Sequence, residues 1–204
     1  MENHQYFDAK AEDWDIDPRV ERARVIAARL AEQIQPSPTT TAVDFGCGTG
    51  LLGFALLPSI GHLTLADPSS GMLKVAELKI TTEDKDRVTI LHLEGEGEIL
   101  PDSYDLIMSL MTLHHIHETE EVVRSLTQHL NPGGTLALAD LDSEDGSFHG
   151  PDADVHRGFE RSVIRNWMID SGLRGVSDST PWTMHKRVDG VDREYPLFLV
   201  TGQR

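Results

Sequence analysis

Three glycines at alternate positions, Gly46, Gly48 and Gly50, lie in the run Val43-Asp44-Phe45-Gly46-Cys47-Gly48-Thr49-Gly50, between an apolar segment and a helical pattern. Glycine lets a chain turn sharply and lets a ligand touch the backbone with no Cβ in the way. In open α/β sheets ligands sit beyond the carboxyl ends of the strands, where such a turn falls. A dinucleotide fingerprint needs a small third residue so that pyrophosphate can meet the helix N-terminus, and Leu51 fills that place. This disfavours a nicotinamide-dependent reductase. No Gly-Lys-Ser/Thr follows either, so a P-loop is excluded. The loop suits a ligand that comes close but brings no phosphates. Asp67, 21 residues after Gly46, ends the next strand-like run. A carboxylate there can accept hydrogen bonds from both hydroxyls of a ribose. Its structural alternative, capping the helix that follows, is also open to Ser69 or Ser70.

Three further stretches carry chemistry. Met111-Thr112-Leu113-His114-His115-Ile116-His117 offers imidazoles, which titrate near ~6.5 and suit a general base at neutral pH. His114 and His115 are adjacent, so on a regular backbone they diverge and at most one faces a pocket. Residues 140–150 mix acids with His149, but glycine falls at the seventh position from Asp140 and no Glu occupies the twelfth. That is not a calcium loop, and no metal site is expected; the segment shapes a substrate pocket or caps the next helix. Finally, Tyr6-Phe7-Asp8-Ala9-Lys10-Ala11-Glu12-Asp13-Trp14-Asp15 mixes aromatics with acids ahead of the core.

The elements that must position these groups follow from periodicity. Val20, Ile26, Ala27, Leu30 and Ile34 give a helical stripe with Pro18 near its start, followed by a short Pro/Ser/Thr linker. Strands are predicted over 41–46, 62–67, 87–93, 104–110 and 135–141. Helices are predicted over 49–57, 69–79, 119–130 and 152–171, with Asn131-Pro132-Gly133-Gly134 as a breaker. Strands separated by helices argue a mostly parallel α/β sheet. Two last strands, near 173–185 and 193–202, have no helix between them and should pair antiparallel at one edge.

Composition narrows the partners. With 204 residues, of which 39% are hydrophobic, one domain with one sizeable core is the default. Thirty-four acids against eighteen bases give a net charge of −16. That is a poor match for phosphate-rich nucleic acid or an anionic membrane surface, so a small-molecule substrate leads. The longest apolar stretch, Leu51 to Leu57, falls far short of the ~18 residues of a membrane span. Residues 2–17 carry six acids against one lysine, unlike a secretory or mitochondrial leader. A lone Cys47 excludes a disulfide framework. The expectation is a cytoplasmic protein, monomeric or homodimeric.

Together these runs resemble a known family. The glycine loop, then Asp67-Pro68-Ser69-Ser70-Gly71-Met72-Leu73, Gly95-Glu96-Gly97-Glu98-Ile99-Leu100-Pro101, Tyr104-Asp105-Leu106-Ile107-Met108-Ser109 and Leu130-Asn131-Pro132-Gly133-Gly134 occur in the order seen in class I S-adenosylmethionine-dependent methyltransferases. The likeness is to the small-molecule group that includes the ubiquinone/menaquinone-biosynthesis type. It implies one doubly wound, mostly parallel seven-stranded Rossmann-like methyltransferase domain, with an antiparallel edge, an N-terminal helical cap over 1–38 and an α/β core over 39–204. It implies S-adenosylmethionine as cofactor, S-adenosylhomocysteine as product, and methyl transfer to an oxygen, nitrogen or carbon of a small metabolite. The alternative is a non-catalytic cofactor-binding regulator or partner subunit of the same fold.

By that likeness Gly46, Cys47 and Gly48 face the methionyl part, and Asp44 fixes its ammonium directly or through water. Asp67 holds the ribose, while Pro68 and Met72 pack on the adenine. Gly95 joins the cofactor-binding set beside Glu96, which stands where the family usually has Asp accepting from the adenine amino group. Leu110 lines the pocket beneath the cofactor. His114 would face the methyl acceptor as a base while His115 packs inward. The N-terminal aromatics, Tyr6 or Trp14, would lie over the sulfonium as a lid.

Overall fold

The computed structural model describes residues 3–95, 100–150 and 153–204. A seven-stranded sheet has the order β3-β2-β1-β4-β5-β7-β6. Its strands are β1 (Thr41–Phe45), β2 (His62–Asp67), β3 (Val88–His92), β4 (Tyr104–Leu110), β5 (Leu130–Leu141), β6 (Arg174–Val188) and β7 (Val191–Gln203). The first five pair in parallel. β7 runs antiparallel between β5 and β6, so the late strands form the predicted hairpin at the sheet edge. The expected doubly wound class is the observed one.

The helices are α1 (Asn3–Lys10), α2 (Asp17–Ile34), α3 (Leu51–Leu56), α4 (Ser70–Leu78), α5 (Thr119–Gln128) and α6 (Arg161–Asp170). Because side chains alternate along a strand, neighbours such as Ala42 and Val43 point to opposite faces and build two cores. One core joins Val43, Ile107 and Leu138 to Val123 and Leu126 of α5 and to Ile164 and Met168 of α6. The other joins Ala42, Leu65 and Met108 to Ile26 and Leu30 of α2 and to Leu52 and Leu56 of α3. α2 buries Ala23, Ile26, Ala27 and Leu30, the helical spacing read from the sequence, and Pro18 lies in its first turn.

Three boundaries differ from the sequence reading. The helix after the glycine loop begins only at Leu51, because Gly50 sits at φ +80° outside it, and Pro58 tightens its end into a 3₁₀ turn over Leu57–Ser59. The Asn131–Gly134 breaker lies within β5. It is drawn in by hydrogen bonds from Gly133 N to Arg204 O (3.1 Å), from Arg204 N to Gly134 O (2.9 Å) and from Asn131 Nδ2 to Asp105 Oδ1 (2.8 Å). Of the helix expected over 152–171, position 152 lies outside the described residues, and the rest is helical only over Arg161–Asp170. Before it, the chain folds back along the end of β5: Phe159 N donates to Leu141 O (2.9 Å), Ser143 N to Phe159 O (3.0 Å) and Glu144 N to Arg157 O (2.9 Å). Gly158, at φ +68°, passes so close to the Asp142 backbone that no Cβ would fit.

Candidate functional site

The site forms where β1, β2 and β4 deliver their carboxyl ends side by side. Gly46, Gly48 and Gly50 adopt φ of +68°, +53° and +80°, the left-handed region that glycine enters freely. Gly46 N and Cys47 N both donate to Ala66 O, at 2.8 and 3.1 Å, tying the loop to β2. A Cβ on Gly46 would overlap Thr112, whose hydroxyl donates to Gly46 O at 3.0 Å. The loop is therefore clamped between β2 and the turn after β4.

Two carboxylates brace it. Asp67 accepts from Gly48 N (2.7 Å) through one oxygen and from Ser69 N (2.8 Å) through the other. Burial raises its pKa, and those two backbone donors oppose the rise. Ser69, not Asp67, caps α4 by accepting from Met72 N at 3.1 Å. Asp44 lies beneath the loop, accepts from Gly53 N at 2.9 Å, and is pushed up to about 7, first by burial. Burial, then Asp67 and Asp44, also push the Cys47 thiol well up, so it is no nucleophile at neutral pH.

Asp44, Gly46, Cys47, Gly48, Asp67, Pro68, Met72 and Leu110 all line one cavity of about 120 Å³. Gly95 is not among its lining residues, and Glu96 lies outside the described residues. The order of the two histidines is the reverse of the expected one. His114 is 1% exposed, with Nδ1 2.6 Å from Asp140 Oδ1, whereas His115 lines the cavity. After β4 the chain leaves the strand at Met111, a non-glycine residue at φ +58° whose N–H donates to Ala139 O at 2.8 Å, and enters the 3₁₀ turn Leu113–His115, so strand alternation no longer governs where the two histidines point. Burial, then the neighbouring His114, hold the His115 pKa down to about 3. His115 is therefore neutral at pH 7 but too weak a base to take a proton efficiently.

The N-terminal segment closes the cavity. Phe7 and Trp14 line it, while Tyr6 stays outside at 52% exposure. Asp8 accepts from Ser69 Oγ (2.7 Å) and Gly71 N (2.8 Å), where a Cβ on Gly71 would meet the Asp8 backbone. Asp15 accepts from Thr49 Oγ1 at 2.5 Å and pairs with Lys79. Phe7 stands edge-on to His115 with ring centroids 5.1 Å apart. This strap thus bridges the first and second strand-to-helix turns and the turn after β4.

Arg19 and Arg22 of α2 also line the cavity and were not singled out in the sequence. The available signal was position: both fall on the buried stripe that continues through Ala23, Ile26 and Leu30. Arg19 lies over the Trp14 ring at 3.9 Å. Arg22 donates to Met184 Sδ at 3.0 Å, and its buried Nε–H has no protein partner among the described residues. Burial, then Arg19, lower the Arg22 pKa to about 10, which leaves it a cation at neutral pH. The cavity thus offers glycine backbone, a carboxylate at each side of the loop, a buried cation and an aromatic cover.

Known proteins share both sequence and shape. A family model described as a methyltransferase domain matches residues 43–136. An uncharacterized methyltransferase of Schizosaccharomyces pombe is 33% identical over 148 residues, 64% of this chain and 52% of that protein. A ubiquinone biosynthesis O-methyltransferase of Hydrogenovibrio crunogenus is 25% identical over 84% of this chain and 67% of its own length. The solved structure of a SAM-dependent methyltransferase from Aquifex aeolicus has the same fold, with a TM-score of 0.69 at 18% identity over 96% of this chain and 97% of that one. The chain spans about half the length of several curated relatives it matches. The motif order, the reversed strand at the sheet edge and the sequence matches agree: residues 43–136 match a methyltransferase domain, and the chain is similar in sequence and fold to S-adenosylmethionine-dependent methyltransferases.

Proposed function

We propose that this chain moves a methyl group from S-adenosylmethionine to an oxygen, nitrogen or carbon of a small metabolite, as one domain whose first 38 residues serve as a cap. The observation that carries the reading is Asp67, held by Gly48 and Ser69 on the wall of the cavity that the glycine loop builds. Each carboxylate oxygen spends one lone pair on a backbone N–H and keeps another for a ribose hydroxyl. The residues present fit the group: the unpartnered Arg22 Nε–H suits a methionyl carboxylate, and Asp44 suits an ammonium. The backbone of Gly46 to Gly48 comes close without side chains, and Pro68 and Met72 supply an apolar wall for the adenine.

S-adenosylmethionine supplies an electrophilic methyl on a sulfonium. The chain's part is to align the acceptor with it and keep water out. Trp14 faces the loop, its Nε1 3.8 Å from where a Gly48 Cβ would stand, in reach of a sulfonium. His114 as a base facing the acceptor is not supported, because its ring is buried on Asp140. Alignment is therefore the main source of acceleration from the protein's own groups. A net charge of −16 favours a small acceptor over nucleic acid. No helix among the described residues is long and apolar enough to cross a membrane.

Asp67→Ala should weaken S-adenosylhomocysteine binding by ~1–3 kcal/mol, the range for a lost buried hydrogen-bonding partner. Calorimetry would read it, and unchanged affinity would remove the assigned ribose contact. Formation of S-adenosylhomocysteine with a metabolite pool tests turnover itself; binding without any turnover would overturn the catalytic reading.

A further inference from the structure

Three imidazoles from two parts of the chain meet beside the cavity. His114 and His115 stand in the 3₁₀ turn Leu113–His115 after β4, and His149 comes from the loop after β5. Their ring centroids are 4.1 Å (His114 to His115), 4.9 Å (His114 to His149) and 5.6 Å (His115 to His149) apart. One ring nitrogen of each lies within 4.8 Å of those of the others. Asp140 fixes the innermost ring: its Oδ1 lies 2.6 Å from His114 Nδ1, and its Oδ2 accepts the His114 backbone N–H at 3.3 Å. His156 N donates to His114 O at 2.8 Å and so holds the same turn from the far side. The nitrogen left over on His114, Nε2, is buried and has no hydrogen-bond partner among the described residues.

We infer that His114, His115 and His149 form a binding site for a divalent transition-metal ion of the zinc class. A carboxylate on one ring nitrogen fixes the tautomer that leaves the other with a lone pair, the arrangement that orients histidine ligands. Imidazole donors suit zinc or cobalt, whereas calcium and magnesium require oxygen ligands. Asp140 places a fully buried carboxylate behind His114, and Lys186 is engaged with Phe148 O at 2.5 Å. Nitrogen ligands around tetrahedral zinc stand about 3.3 Å apart, as bond lengths near ~2.05 Å require. The 4.8 Å spread must therefore shrink, and His149, exposed on its loop, is the ring free to approach.

Three protein ligands leave a tetrahedral ion one position for an outside ligand. His115 borders the cofactor cavity, so that ligand is the acceptor's heteroatom, bound as its anion with the proton released to solvent. This consequence, though not the metal site itself, rests on the methyl-transfer reading. It supplies an activated acceptor where no histidine can act as base.

The test is calorimetric titration of zinc chloride into the chelator-stripped, untagged full chain. One ion per chain should bind with a dissociation constant below ~1 μM, and cobalt should give tetrahedral visible bands. His149→Ala, on an exposed loop, should weaken binding by roughly tenfold or more with circular dichroism unchanged, whereas His62→Ala, at the amino end of β2 where its ring meets Thr89, should bind as the parent does. Absence of stoichiometric binding up to ~100 μM zinc, or binding that survives His149→Ala intact, would overturn the site. S-adenosylhomocysteine titrated into the same stripped protein separates the two ideas. Retained cofactor affinity without metal binding removes the metal site alone, and metal binding without cofactor affinity removes the methyl-transfer reading alone.

Discussion

Asp44 is a carboxylate placed where charge is costly. It is 1% exposed, receives one backbone N–H from Gly53, and is pushed up to about 7 by burial. A carboxyl whose folded pKa exceeds its unfolded value of 3.8 adds stability below that value and loses it as pH rises through about 7. Relative to Asp44→Asn, which keeps an acceptor for Gly53, the parent should lose on the order of a few kcal/mol between about pH 4 and pH 7. Urea unfolding of both proteins across that window checks it; parallel curves would show that Asp44 is ionised in both states. At this scale the sequence was legible where spacing places residues together, as it does for Gly46, Gly48 and Asp67, which line one cavity. It was misleading at His114 and His115, because their directions depend on the left-handed Met111 and the 3₁₀ turn Leu113–His115, which no periodicity announces. Arg22 was hidden for a related reason. A basic residue on a buried helical stripe gains its meaning only from the cavity opposite it.

Among the elements, the parallel strands and their helices were legible because each buries a periodic apolar face. The segment before α6 was not. Its residues read as helix, yet the chain from Arg157 to Phe159 spends its hydrogen bonds on Leu141, Ser143 and Glu144, and only a glycine passes the Asp142 backbone. Tertiary backbone pairing overrides local propensity there. Gly158→Ala should therefore destabilise the fold by about 2–4 kcal/mol, combining the left-handed penalty with overpacking. A drop in the urea midpoint at constant slope would show it, and a change under ~0.5 kcal/mol would mean the segment can shift aside. The Asn131–Gly134 stretch teaches the same lesson in reverse, since turn-forming residues are held in a strand by bonds to Arg204 and Asp105.

For the molecule as a whole, the strap decides how the ligand gets in. Its two carboxylates fasten it to both turns that build the site, Asp8 on Ser69 and Gly71, and Asp15 on Thr49 and Lys79. The cavity's volume of about 120 Å³ falls well below the ~300 Å³ at which small-molecule pockets begin. The expected course of entry is therefore two-stage, with the fasteners releasing before the ligand seats. In stopped-flow mixing followed by Trp14 fluorescence, the observed rate should level off as S-adenosylmethionine concentration rises, and Asp8→Ala combined with Asp15→Ala should lift the ceiling. A rate that climbs linearly without limit in the parent would contradict it. The same fastening bears on departure. With Asp8 and Asp15 tying the strap that carries Phe7 and Trp14 across the cavity, a bound product is expected to leave no faster than those two carboxylates let go.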